Sequence, residues 1–135
     1  MEKKVIALIL CLAAVLTAHA SKKTKVIYSD VTWIGNGAEE PFGNELILTV
    51  DGKKATGVFR TVQPTPHAVK VQGVLSGKRY RLTGTDDAYE LRIEATVDGD
   101  LLKAVVYRDY GGRKQAETLV LHRTSRCWYS QHCGD

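Results

Sequence analysis

Apolar and polar residues alternate with a period of two along most of the chain. The clearest stretch is residues 89–97, YELRIEATV, in which every odd position is apolar and every even position polar or charged. Successive strand residues point to opposite faces, so one face would be buried and the other in water. A helix would mix Glu90 and Glu94 with Ile93 and Val97 on one stripe. The stretch therefore predicts a half-buried β-strand.

Seven further segments follow the same alternation less strictly and are rich in β-branched and aromatic residues. Dipeptides such as Asp51-Gly52, Asp98-Gly99 and Gly111-Gly112 separate several of them and are hairpin signals. The pattern predicts an all-β fold, an eight-stranded antiparallel up-and-down meander closed or nearly closed into a small barrel. A two-sheet β-sandwich is the alternative. The predicted strands are residues 26–34, 45–50, 55–62, 69–75, 79–83, 89–97, 101–108 and 117–123.

Alternation also predicts which side chains face the barrel interior. Gly57, Gly73 and Gly84 fall within or at the ends of these strands, where glycine permits the sharp bending that closure requires. The predicted inward set is Leu46, Leu48, Phe59, Val71, Tyr80, Leu82, Leu91, Ile93, Ala95 and Val105.

The first twenty residues differ from this body. Lys3 and Lys4 precede an apolar run over residues 5–16, and Ala18-His19-Ala20 places small residues before Ser21. This order is typical of a secretory signal peptide, with a buried N-terminal helix as the alternative. We expect a signal peptide over residues 1–20, one domain over 21–126 and a tail over 127–135. No later apolar run approaches the length of a membrane-spanning helix. The predicted location is periplasmic or extracellular.

Charge narrows the choice of partner only slightly. The formal net charge of +4 is mild, and nucleic-acid binding is not expected because that function usually shows a stronger, one-sided excess. Several basic pairs, Arg113-Lys114 among them, flank predicted turns. They form either a solvated rim or a basic end that meets an anionic partner, such as a cell-envelope polymer or an acidic protein surface.

Catalytic patterns are absent from the sequence. No serine lies in G-x-S-x-G, and neither a phosphate loop nor a dinucleotide fingerprint occurs. Glu39-Glu40 and Asp86-Asp87 are adjacent carboxylates, which a strand would point to opposite faces, so they read as turn and loop formers. The sequence therefore predicts a non-enzymatic protein without metal or cofactor.

The chain ends in CWYSQHCGD, in which Cys127 and Cys133 bracket five residues. In an oxidising compartment such a pair predicts a disulfide, worth about 2 kcal/mol for so short a loop. A metal site with His132 and His122 and a redox pair are the alternatives, although neither spacing fits a known pattern. The pinned loop would display Trp128, Tyr129 and His132. His67, after two prolines, is either a solvated loop residue or a ligand contact at the barrel mouth.

Two short segments carry a resemblance to a known group. Thr32-Trp33-Ile34-Gly35 stands early in the meander, and Leu119-Val120-Leu121-His122-Arg123 stands in its last strand. The arrangement resembles the calycin barrels, the lipocalin and avidin group, whose first strand carries a tryptophan near a glycine and whose last strand carries an arginine across it. The resemblance implies the closed barrel and a stacking of Arg123 on Trp33.

Two functions of different class follow. One is a protein-interaction or inhibitor-type module of the cell envelope that uses loop residues, with Trp128 and Tyr129 as anchors. The alternative is a binding protein for a small apolar ligand in the barrel interior or mouth.

Mass spectrometry of the protein exported by its own cells and kept unreduced tests the leader and the disulfide together. We expect a chain that starts at Ser21 and weighs two hydrogens less than its reduced form. Additional mass from a metal ion, or a mass equal to the reduced chain, would contradict the disulfide.

Overall fold

The structure, a computed structural model, describes residues 22–34, 40–62 and 66–127. Most of them lie in β-strands, with antiparallel pairing between neighbours. The strands are β1 (Lys23–Ser29), β2 (Thr32–Ile34), β3 (Glu40–Asp51), β4 (Lys54–Val62), β5 (His67–Ser76), β6 (Arg79–Thr85), β7 (Glu90–Asp98), β8 (Leu101–Tyr110) and β9 (Arg113–Thr124).

The sheet closes on itself through β1. From β3 to β9 each strand pairs with the next, and β1 pairs with both β3 and β9. Eight strands thus form a closed barrel, and β2 is an extra strand on β3. The predicted meander is confirmed, and one closed sheet replaces the alternative of two stacked sheets.

Inward-facing side chains fill the barrel. Leu48, Leu82, Leu102 and Val106 have no measurable exposure, and they belong to one continuous cluster contributed by all eight strands. A barrel of eight strands is just wide enough for its side chains to fill it. The interior is therefore a packed core.

The predicted inward set is correct except at Val105. Leu102, Ala104 and Val106 are the buried residues of β8, and Val105 lies opposite Glu94 on the outer face. In β8, either the odd-numbered or the even-numbered residues could face inward. Leu101-Leu102 and Val105-Val106 place apolar residues at both odd and even positions, so composition alone does not distinguish these two frames. Pairing of Ala104 with Ala95 decides the frame.

Gly57 allows a close approach between β3 and β4. A Cβ atom at this position would lie 1.8 Å from the carbonyl oxygen of Ile47, and the same distance separates the Cβ site of Gly73 from the carbonyl oxygen of Arg81. No side chain fits at such a distance. Both positions therefore require glycine, while the bending predicted at them stays a prediction.

The part of the chain that the structure describes contains no helix long and apolar enough to span a bilayer. The predicted signal peptide lies outside the described residues and stays a prediction.

Replacement of Gly57 by alanine tests this close approach. We expect Gly57→Ala to lower the free energy of unfolding by about 3 kcal/mol or more, because the methyl group would have to displace backbone. The measurement is urea unfolding followed by circular dichroism. The control is Gly52→Asn, at a turn glycine with φ of 61° and open space around it. Asparagine tolerates that conformation, so a change below about 1 kcal/mol is expected. Equal effects of the two substitutions would contradict the close approach.

Candidate functional site

Charged and aromatic side chains meet at one end of the barrel. His67 begins β5, Tyr89 immediately precedes β7, and Arg108 and Tyr110 lie near the end of β8. Asp86, in the β6–β7 turn, joins them through a contact between its Oδ2 and His67 Nε2. We call these five residues the mouth cluster.

Asp86 organises the β6–β7 turn. Its Oδ1 accepts hydrogen bonds from the backbone N–H groups of Ala88, at 2.7 Å, and Tyr89, at 3.2 Å, while Oδ2 faces His67 Nε2. The bond from the Ala88 N–H is the main reason that the pKa of Asp86 is lowered, and Tyr89 and His67 add to it. The carboxylate therefore stays charged, holding the turn that carries Tyr89 and pairing with His67.

Arg108 closes the end of the core. It follows Val106 on the inward face of β8, and its side chain is 12 % exposed. Its guanidinium carbon lies 5.7 Å from the ring centre of Phe59 and 5.8 Å from that of Tyr89, and Nη1 donates to Glu117 Oε2 at 2.8 Å. Burial opposes the charge, but the bonds to Glu117 and Tyr89 outweigh it and raise the pKa of Arg108. The Arg108 guanidinium, held by these contacts, therefore covers the end of the core as a lid.

Three rings complete this end. The ring centres of Tyr89 and Tyr110 are 5.1 Å apart, and those of His67 and Tyr89 are 5.8 Å apart. Burial raises the pKa of Tyr89, against the effect of Arg108. The phenol therefore remains neutral at physiological pH. These groups contact one another, so the mouth cluster covers this end of the core.

A two-stranded ribbon extends the barrel elsewhere. β2 continues the register of β1 along β3, with Thr32 opposite Phe42 and Trp33 opposite Pro41. Directly opposed residues share a face, so the two aromatic side chains lie on opposite faces of this ribbon. Trp33 is 56 % exposed and Phe42 is 48 % exposed.

Asp30 and Gly43 form the junction between barrel and ribbon. The Asp30 N–H donates to the Asn44 carbonyl oxygen, and the Asn44 N–H donates to Asp30 Oδ1. A Cβ atom on Gly43 would lie 2.6 Å from that same oxygen, at a φ of 139°. The junction therefore depends on glycine, and it fixes the ribbon to the barrel.

Part of the outer surface of β1, β3 and β4 is buried, unlike most of the barrel exterior. Ile27 and Ile47 pack with Cys127 in a second small cluster. Beside them, Arg60 Nη1 and Glu45 Oε1 form an ion pair at 3.4 Å, with the Glu45 side chain fully buried. Cys127 thus places the start of the predicted tail on the outer surface of the barrel. Cys133 lies outside the described residues, so the disulfide stays a prediction.

Concave surface occurs on the outside of the barrel. One cleft of about 540 Å³ runs over β6 to β9, and another of about 680 Å³ runs over β3 to β6. A third, of about 460 Å³, is lined by Trp33, His122, Thr124 and Arg126, among others. Outward-facing side chains contribute most of each lining.

The structure brings some predicted residues together and separates others. His67 belongs to the mouth cluster, and Arg113 and Lys114 are exposed at the start of β9 beside Tyr110. Arg123 lies opposite Tyr28, on the face of β9 away from His122, whereas Trp33 lines a cleft with His122. The stacking of Arg123 on Trp33 stays a prediction. Trp128, Tyr129 and His132 lie outside the described residues.

Sequence reasoning missed most of the mouth cluster. Arg108 continues the inward frame of Leu102, Ala104 and Val106, so a charged residue at an inward position was the available signal. Glu117 lies opposite Val106 and two residues after Gln115, the cross-strand partner of Arg108. The register between β8 and β9 therefore brings Glu117 beside Arg108. The frame error at Val105 concealed both.

Comparison with known proteins gave no match to a family model, a curated protein or a solved structure. The calycin resemblance is therefore supported by the closed antiparallel barrel alone. Within the described ranges, no group of three or more His, Cys, Asp or Glu side chains is placed to hold a metal ion.

Two arginines on tyrosine rings provide a matched test of the mouth cluster. Arg108→Ala should lower the free energy of unfolding by about 2–3 kcal/mol, because a desolvated cation–π contact and an ion pair are lost together. Arg92, 54 % exposed and 4.2 Å from the centre of the Tyr107 ring, is the control. Arg92→Ala should cost less than about 1 kcal/mol. Equal losses in urea unfolding would show that Arg108 does not act as a lid.

Proposed function

We propose that the protein is an exported, non-enzymatic binding module that engages a partner protein through its exterior, with the β2–β3 ribbon as the main contact. The observation that carries the proposal is the exposure of Trp33 and Phe42 on this ribbon. Exposed aromatic side chains of this size are favoured at the centres of protein interfaces.

The ribbon is an addition to the barrel. Eight strands close without β2, and in the described chain β2 pairs with β3 alone. Its aromatic residues therefore contribute little to the main core while exposing apolar surface to water, which is unfavourable unless a partner covers it. An inhibitor or adaptor that inserts a projecting ribbon into a partner has this form.

The packed interior supports an exterior site over the alternative of an apolar ligand inside the barrel. A ligand there would have to replace side chains such as Leu48, Leu82 and Leu102, and at the mouth it would have to separate Arg108 from Phe59. Both changes would cost packing energy that a preformed cavity would not require.

Capture from the protein's own envelope extract tests the proposal. The tagged mature chain is compared with a Trp33→Ala/Phe42→Ala variant, and retained polypeptides are quantified by mass spectrometry. We expect a specific polypeptide whose retention falls about thirtyfold in the variant, as for a hot spot worth about 2 kcal/mol.

A second double variant controls for general loss of apolar surface. Val74 is 50 % exposed and Val120 is 46 % exposed, on β5 and β9. Val74→Ala/Val120→Ala should retain the same polypeptide as the unmodified chain. Retention that both double variants lower alike, or an extract from which no polypeptide is retained, would refute the ribbon as the contact. Unchanged urea midpoints confirm that each variant is folded.

A further inference from the structure

A transverse row of side chains crosses the outer face of the barrel. Each member is the direct cross-strand neighbour of the next, and every member before β9 has a buried residue beside it in sequence. At a strand separation of about 4.8 Å, the row is about 30 Å long. We call it the polar row; its members, from β3 to β9, are Thr49, Thr56, Gln72, Thr83, Arg92, Tyr107 and Ala116.

The polar row lies along concave surface. Thr49, Thr56 and Gln72 line the cleft of about 680 Å³, and Arg92, Tyr107 and Ala116 line the cleft of about 540 Å³. Both clefts include residues 83–85, so they meet at Thr83. We call the two adjoining clefts the groove. It is open and follows the row, which suits a chain lying across the strands more than a compact molecule.

The groove carries little net charge. Arg92 is the one ionised member of the row, and its Nη1 lies 3.0 Å from Glu94 Oε1. Arg108 also lines the groove, and its Nη1 lies 2.8 Å from Glu117 Oε2. Beside the row, Lys70 and Lys114 balance Glu90 and Asp109. A polyanion such as a nucleic acid would need an excess of cations along its path. Complementarity therefore favours an uncharged ligand.

The chemistry of the row also disfavours an extended peptide. Peptides that add to a sheet need a free strand edge or apolar pockets for alternate side chains. From β3 to β8 the barrel strands pair on both sides, and the exposed large apolar residues of the described chain lie outside the row. The row instead offers threonine hydroxyls, a glutamine amide and a tyrosine ring backed by the Arg92 guanidinium. Hydroxyls and amides both donate and accept hydrogen bonds.

We propose that the polar row binds a linear, uncharged polysaccharide rich in hydroxyl and amide groups, with the sugar chain running across the strands. Gln72 and the three threonines pair with hydroxyl and amide groups along the chain, and the Tyr107 ring contacts the apolar face of a sugar. This site shares no residue with the β2–β3 ribbon, so it does not depend on the proposed protein contact. It would hold the module on an envelope polymer.

The test is isothermal titration calorimetry of the mature chain with the β-1,4-linked hexamer and dimer of N-acetylglucosamine. Because the row is long and each contact weak, we expect the hexamer to bind at least about tenfold more tightly than the dimer. A Gln72→Ala/Thr83→Val variant should bind the hexamer about tenfold more weakly than the unmodified chain. Gln72→Ala alone, with a smaller loss, serves if the double variant does not fold.

Thr96 supplies the matched control. It is an exposed threonine on β7, on the same outer face as Arg92 but away from the groove linings. Thr96→Val should change hexamer affinity less than twofold. Absence of hexamer binding to the unmodified chain, a loss in Thr96→Val equal to that in the row variant, or binding of polyglutamate in place of the hexamer would each overturn the proposal.

Discussion

Closure of the sheet through β1 is the constraint on which the rest of this structure depends. β1 pairs with β3 along its whole length, but its seam with β9 consists of Ile27, Tyr28 and Ser29 opposite Thr124, Arg123 and His122. So short a seam needs support from side chains. On the inner face Tyr28 is buried, and burial raises its pKa while Arg123 opposes that rise. On the outer face Ile27 packs with Ile47 and Cys127. The tail thus begins at the place where the barrel closes.

The stagger of this seam also determines which parts of β3 and β9 extend beyond the closed barrel. In the described part of the chain, β9 before His122 pairs with β8 alone, and β3 before Gly43 pairs with β2 alone. The excess length of each strand therefore extends past the seam, carrying Arg113 and Lys114 at one place and Phe42 at another. The interior is filled, so the binding sites that we propose lie on these extensions and on the outer wall.

The sequence was most informative about properties that depend on a single strand. Alternation located eight strands, and nine of ten inward residues, because period and burial are local properties. It missed the early part of β3, where Pro41, Gly43 and Asn44 are residues that strands disfavour. Pro41 is tolerated there because it lies in the short ribbon, beyond the part of β3 that pairs on both sides. The break between β1 and β2 was missed for a related reason, since it depends on the Asp30–Asn44 hydrogen bonds.

Which side chains meet in a site depends on the register between strands. That register cannot be inferred from any one strand alone. His67 could be nominated from its two prolines, but its contacts with Asp86 and Tyr89 require β5 and β7 to be brought together through β6. The polar row is an extreme case, since its members come from seven strands and share no sequence motif. Each reads alone as an ordinary exposed strand residue, and only the closed barrel aligns them. A fold whose core is solid and whose turns are short leaves such aligned rows as its main means of presenting many weak contacts to one extended ligand.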